Sequence, residues 1–320
     1  MQWLTSRATR RLQGERGAAA VVLSLLLIPM LGFAAIAVDI GALYAERARL
    51  QVGADAAAIA VAQDCSRGNC GDMLATAQAL IELNDTEGTA ATPVLSSDPL
   101  SVTVTGGTPK EHWFAPIIGH DSTRVSATAT VGWGSPSAGT SVLPLTFSYC
   151  SFSKQTGGLA STTPQVVKFS EDDPSPCPNA GGNQVPGGFA FVDPDEGTCN
   201  ATHSLDQELQ SSTGVSLPGG CTKADFDGWL QRTILLPLFD QVGGTGNNAW
   251  YRVYGYAAFR LTGYAFNGTN RSAKVVCGPG TNPSVRCITG YFTRFVELSD
   301  AWSYSPDAPT LGSSILRLIR

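Results

Sequence analysis

Between Gly17 and Val38 the chain runs without a single charged side chain, from a flank rich in arginine to the acidic residue Asp39. An α-helix over Ala18–Val38 rises about 32 Å, close to the roughly 30 Å of a bilayer's hydrocarbon core. The segment therefore has the length and composition of a membrane-spanning helix. Arg7, Arg10, Arg11 and Arg16 precede it against the single acid Glu15, a bias that keeps a flank on the cytoplasmic side. The expected topology is single-pass, with residues 1–16 cytoplasmic, 17–38 in the membrane and everything after Asp39 extracytoplasmic. Pro29 removes a backbone donor from the middle of the span, so a kink is expected there. Ala35-Ile36-Ala37 has the small-residue spacing of a signal-peptidase site, yet the apolar run exceeds a usual signal core, and retention of the anchor is the expectation.

The helical pattern does not stop at Asp39. Ile36, Ile40, Leu43, Arg47, Leu50, Ala54, Ala57 and Val61 recur at helical spacing, with Glu46, Arg49, Gln51 and Asp55 largely off that seam. No proline interrupts Ala42–Gln63, and alanine is the best helix former, so one continuous rod is expected. Its seam has two readings, packing against the chain's own domain or against a partner helix. Asp39 reads as a residue meeting water at the membrane edge.

Farther on, Asp72 is placed to cap a second helix through about Leu83. Val94–Thr105 and Arg124–Trp133 alternate as half-buried strands, with a short helix expected at Trp113–Ile118 between them. The Gly-, Ser- and Pro-rich stretch 134–141 reads as a linker, which divides residues 39–133 from 142–320. Beyond it, Val142–Phe152, Gln165–Phe169, Gly188–Val192, Tyr251–Phe266, Tyr291–Leu298 and Ile315–Ile319 read as strands. Asp225–Gln241 reads as a helix that Pro237 ends or bends. The fold class is α+β, a membrane helix continued by a rod, a small α/β module and a β-rich outer domain.

All eight cysteines follow the apolar run: Cys65, Cys70, Cys150, Cys177, Cys199, Cys221, Cys277 and Cys287. An even set on the oxidising side of a membrane points to disulfides. Cys65 with Cys70 and Cys277 with Cys287 close the shortest loops. The other four can be joined in three ways, among which sequential pairing, Cys150 with Cys177 and Cys199 with Cys221, is preferred.

Several function classes lack their raw material. A net charge of −5 with only 21 Lys and Arg leaves no basic surface for nucleic acid. There is no Gly-x-Ser-x-Gly elbow or His-Glu-x-x-His helix, and Gly243–Gly246 lacks the lysine of a phosphate loop. Three histidines and no Cys-x-x-Cys pair argue against zinc. Neither Glu171-Asp172-Asp173 nor Asp193–Gly197 has EF-hand spacing. No catalytic residue, cofactor or metal site is expected, and the chain reads as a non-enzyme. Trp229, Trp250, Tyr251, Tyr254, Tyr256 and Tyr264 are the candidates for a glycan- or protein-binding surface, the alternative reading being core. An extracytoplasmic hydrolase is the second alternative, requiring a histidine, a nucleophile and an acid assembled in one cleft.

Arg16-Gly17-Ala18, Gly32 through Tyr44, Arg47, Leu50-Gln51 and Ala54–Ala58 together resemble the N-terminal signature of TadE/TadG-like proteins of the Tad (Flp) pilus system. Trp113-Phe114 to Gly119 and Val125–Ala129 resemble the end of that family's first outer module. Pro186–Phe189, Pro237–Asp240 and Gly255–Gly263 are similar to outer domains of actinobacterial members. The resemblance implies a pilin-like, membrane-anchored component of pilus assembly at the cell surface, with the membrane and other Tad/Flp assembly proteins or pilins as partners. On the helix, Asp39, Leu43, Arg47, Leu50 and Asp55 are the candidate interface residues. Two family features are missing: the fifth position after Gly17 is Val22 where prepilin peptidase substrates carry Glu, and no Asp-x-Ser-x-Ser metal motif of a von Willebrand A domain occurs.

Overall fold

The computed structural model describes residues 3–158, 161–169, 177–178, 184–185, 187–212, 216–245, 248–273, 275–278 and 284–319. They form two compact units, one made of the chain up to Ala58 with Asp72–Val94 and Thr103–Ala129, the other of Ile59–Gly71, Leu95–Val102 and Thr130 onward.

The first unit is organised on one helix. Helix α1 (Trp3–Ser66) is continuous through the apolar run, with Pro29 inside it. The segment is long and apolar enough to cross a membrane, and its side chains from Val21 to Leu31 are exposed. The chain is thus a single-pass membrane protein by its helix. Helix α2 (Met73–Glu82) begins at Asp72, whose carboxylate accepts the Ala75 N–H at 3.0 Å. It buries Ala77 and Ile81. Ile81 fits where side chains are missing: a Cβ on Gly53 of α1 would stand 3.3 Å from its Cα, and one on Gly106 would stand 2.8 Å from its Cδ1. Strands β1 (Thr89–Ala90), β2 (Val94–Ser97), β3 (Leu100–Glu111) and β4 (Ser122–Ser141) follow, of which Leu95–Val102 and the part of β4 from Thr130 belong to the second unit. The stretch read as one strand from Val94 is thus two, parted by Asp98-Pro99. Alternation holds in β4, where Val125, Ala127 and Ala129 are buried and their neighbours exposed. A single 3-10 turn, Ala115–Ile118, lies between β3 and β4.

The second unit is β-rich. Its elements are β5 (Leu145–Ser148), α3 (Tyr149–Thr156), β6 (Gln165–Lys168), β7 (Cys177–Pro178), β8 (Gln184–Val185), β9 (Phe189–Phe191), β10 (Ala201–Ser204), β11 (Glu208–Gln210), α4 (Lys223–Gly228), β12 (Thr233–Gly243), β13 (Trp250–Ala265), β14 (Cys287–Thr293), β15 (Phe295–Leu298), β16 (Ser303–Ser305) and β17 (Ser313–Ile319). A seven-stranded sheet runs β6-β14-β13-β12-β5-β9, with β11 also on β13. Within the same unit, the part of β4 from Thr130 pairs with β17, β16 and β10.

Three sequence expectations are corrected here. Residues 134–141 are no linker: they are the second half of β4, and their small side chains admit neighbours, since a Cβ on Gly139 would meet the Trp302 ring at 2.4 Å. The helix expected over Asp225–Gln241 is only α4, because the apolar run that follows is β12. There Ile234, Leu236 and Leu238 enter one core and Leu235 and Phe239 the other, so the strand is buried on both faces. Pro237 sits within it, its carbonyl accepting from Thr146 Oγ1. The strand expected over Val142–Phe152 is confined to β5, with residues 142–144 irregular before it and α3 beginning at Tyr149.

Disulfides join Cys65–Cys70, Cys199–Cys221 and Cys277–Cys287. Cys150 is disulfide-bonded too, and the side chain of Cys177, the partner expected for it, lies outside the described residues. So does the acidic cluster Glu171-Asp172-Asp173. Asp195 of the other acidic stretch accepts from the Thr202 N–H and hydroxyl, a turn-forming role, and no cluster of metal-ligating side chains occurs among the described residues.

Candidate functional site

The face that α1 turns to its own unit is not the seam expected from apolar spacing. Leu50, Ala54 and Ala57 are buried, as either reading of the seam allows, but toward the membrane the buried positions are Asp39 and Glu46. Asp39, Glu46 and Gly53 are seven residues apart, which is two helical turns, so they share one line on the helix surface. Each meets a different element.

Asp39 does not meet water, contrary to expectation. Its carboxylate accepts three successive backbone N–H groups at the start of the 3-10 turn, from Trp113 at 2.9 Å, Phe114 at 3.1 Å and Ala115 at 2.8 Å. A short turn leaves its first amides without internal partners, and an acidic side chain from elsewhere satisfies them as a helix cap would. Burial pushes the Asp39 carboxyl up, but the Trp113, Ala115 and Phe114 amides together hold it below the usual carboxylate range. One heptad on, Glu46 is buried and pairs with Lys110 of β3 at 2.7 Å. Both bonds lock the strand–turn segment Lys110–Ala115 onto the helix.

The remaining candidate positions divide. Leu50 is wholly buried within its unit, so it is unavailable to a partner. Asp55 accepts from Gln51 within the helix, and Gln51 also donates to the Thr128 carbonyl. Leu43 is half-buried and Arg47 exposed. With Ile40, Tyr44 and Thr123–Ser126 they line an open cleft of about 410 Å³. A second cleft, of about 570 Å³, lies along the helix from Gly32 to Leu43, with Phe114, Ile117, His112, His120 and Thr123 on its other wall. Sequence reasoning passed over Glu46, Lys110 and this second cleft. The acids' heptad spacing was the available signal.

Residues 17–64 match the Tad family, described as "Putative Flp pilus-assembly TadE/G-like". No curated protein and no solved structure matches the chain. The Tad match begins at the first residue of the apolar run and ends one residue before Cys65, so it contains Asp39, Glu46 and Gly53 and none of the chain from Thr130 onward.

In the β-rich unit the six candidate aromatics are turned largely to packing. Tyr251, Tyr256 and Tyr264 are buried, while Trp229, Trp250 and Tyr254 are half-buried. Trp250 covers Gly243, Tyr254 packs on Tyr149 with centroids 4.5 Å apart, and Arg232 lies over Trp229. The rings serve packing because β12 and β13 have cores on both faces.

A serine and a histidine do meet. Ser141 Oγ lies 2.8 Å from His203 Nε2 and donates to the Leu235 carbonyl at 3.1 Å, while His203 Nδ1 lies 3.1 Å from the Tyr256 hydroxyl. With the serine's one hydrogen given to Leu235, the neutral ring that satisfies every partner donates from Nε2 to Oγ and accepts at Nδ1 from the Tyr256 hydroxyl. The imidazole is thus a donor toward the serine, the reverse of a general base. Ser141, His203 and Tyr256 are all buried, and burial pulls the histidine down to about 4. The network is a satisfied core.

Proposed function

We infer that the chain is a membrane-anchored, non-catalytic component of Tad/Flp pilus assembly, a pilin-like scaffold or minor subunit. The observation that carries the reading is the Tad match over residues 17–64, which falls on the membrane-length helix and its extension. In this reading the arginine-rich N-terminus is cytoplasmic and the disulfide-bonded β-rich unit faces outward, as the charge bias of the flanks favours. The outer part is of the actinobacterial kind. Assembly partners, pilins or other Tad/Flp proteins, meet α1 on the side left open beside Leu43 and Arg47. Asp39, Leu50 and Asp55 support that surface from behind through their intrachain contacts.

The test is made in cells that assemble Tad pili. Removing this protein should abolish or sharply reduce surface pili, and Arg47→Glu should reduce co-purification with pilus proteins while non-reducing gels show the disulfides intact. Normal piliation without the protein, together with unchanged association of Arg47→Glu, would sink the reading.

A further inference from the structure

Among the described residues, the aromatic side chains that are largely exposed all belong to the first unit: Phe33, Tyr44, Trp113 and Phe114. Two of them lie in the turn that Asp39 holds. Trp113 is 74 % exposed and Ile117 86 %, with Pro116 exposed between them. A soluble loop presenting this set to water loses apolar burial worth about 25 cal/mol for each Å².

The depth of this loop is set by its bonds. Asp39 is the residue at which the uncharged run ends, and three N–H bonds fasten Trp113–Ala115 to it. Trp113 and Ile117 therefore stand where the hydrocarbon gives way to headgroups, the level at which tryptophan concentrates in membrane proteins. The 570 Å³ cleft beside them extends down the helix to Gly32, about 10 Å below Asp39 by helical rise and inside the spanning segment. Below Asp39 its wall is apolar, formed by Gly32, Ala35 and Ile36, and Ile40 and Ile117 add apolar surface nearer the level of the turn. Its rim is polar, with the amide-bound carboxylate of Asp39, His120 and the bonded pair His112 and Thr123, 2.8 Å apart. Apolar below and polar above is the profile of a phospholipid at that depth.

We propose that the Trp113–Ile117 turn is a second membrane attachment, dipping into the leaflet nearer Asp39, with one phospholipid acyl chain in the cleft between the turn and α1. A single spanning helix is free to rotate and tilt, and an interfacial anchor beside it restricts both. The occupant is lipid because the cleft opens within the span itself, where lipid is the surrounding solvent.

The test uses the full chain in nanodiscs of phosphatidylcholine and phosphatidylglycerol, with phosphatidylcholine brominated on its acyl chains as a contact quencher. Trp3→Phe provides the background, and the further change Trp113→Phe isolates the Trp113 emission by difference. Trp113 and Ile117 are exposed, so neither Trp113→Phe nor Ile117→Asp removes core packing. Brominated lipid should extinguish most of the Trp113 emission, aqueous iodide should hardly touch it, and Ile117→Asp should reverse that order. Quenching by iodide instead of brominated lipid would place the turn in water and overturn the proposal. Protection from both quenchers would mean that a protein covers the turn, a second copy included, and would overturn it equally, as would full lipid quenching retained in Ile117→Asp.

Discussion

Asp39 and His203 are both polar side chains shut away from water, and the two units treat them in opposite ways. Asp39 keeps its charge, because three backbone donors converge on it and outweigh the penalty of burial. His203 gives its charge up, because burial penalises the imidazolium, and the neutral ring still has the Ser141 and Tyr256 hydroxyls as partners. The contrast follows from what each must do. A carboxylate at the end of an apolar helix fastens a loop that arrives from far along the chain, and an ionised acceptor binds several amides strongly. A histidine between two layers of a β-rich core only has to leave no polar atom unpaired, and a neutral ring does this at lower desolvation cost. The same contrast appears in the aromatic residues, which face outward around Asp39 and inward around His203.

The hardest blow to this comparison would come through Leu50. If α1 is built into its own unit from Leu50 onward, Leu50→Ala leaves a cavity in a packed interior and should cost about 2–5 kcal/mol. Denaturant unfolding of the full chain in detergent micelles, followed by hydrogen exchange in α2, measures it. A loss of partner binding with the unit's stability untouched would mean that this face belongs to an interface after all.

Acid separates the two polar centres by window. His203 has its native value depressed from 6.5 to about 4, so the unfolded chain takes up a proton that the native chain refuses. Its contribution is whole above pH 6.5 and is lost as pH falls toward 4, amounting to about 3 kcal/mol. Exchange in β10 and β13 should speed up across that interval, and His203→Gln should flatten the dependence. Tyr256→Phe asks for less: it removes the donor to Nδ1 and leaves that acceptor unpaired, at about 1–3 kcal/mol. Should Tyr256→Phe leave stability unchanged, the assigned tautomer is wrong.

What could be read from the residues alone depended on how many physical solutions a pattern allows. An uncharged run of membrane length has one, and so does Asp72 ahead of an amphipathic stretch, where the cap forms as spaced. Ile234-Leu235-Leu236-Pro237-Leu238-Phe239 has two, since a run apolar at every position suits a helix or a strand with cores on both faces, and only the partners β13 and β5 decide. The glycines and serines of 134–141 looked like linker because their reason lies elsewhere, in the Tyr304 and Trp302 rings that occupy the space above them. The candidate site was legible as a helix and obscure as a face. Apolar periodicity selected Ile36, Ile40 and Leu43, yet the line that touches the rest of the unit carries Asp39 and Glu46, whose partners Trp113–Ala115 and Lys110 are distant in sequence. Acids on a buried line can be foreseen only when their donors are known.

The smallest expected change is the most local. In Asp39→Asn the side chain keeps one oxygen and gains an amino group, which must point a donor at a donor, because both carboxylate oxygens now receive N–H groups. At least one of the three bonds is lost, and exchange of the Phe114 and Ala115 amides should accelerate while α2, β10 and β13 keep their rates. The wild-type junction should show the same loosening only under strong acid. Its carboxyl is held below the ordinary 3.8, so its contribution is complete above that value and declines as pH falls through the lower native one, below the interval in which His203 acts. Two separate steps of loosening, β10 and β13 first and Trp113–Ala115 second, are what a neutral core and a charged clasp must give; a single shared transition would mean that the two units do not keep their polar groups in different states.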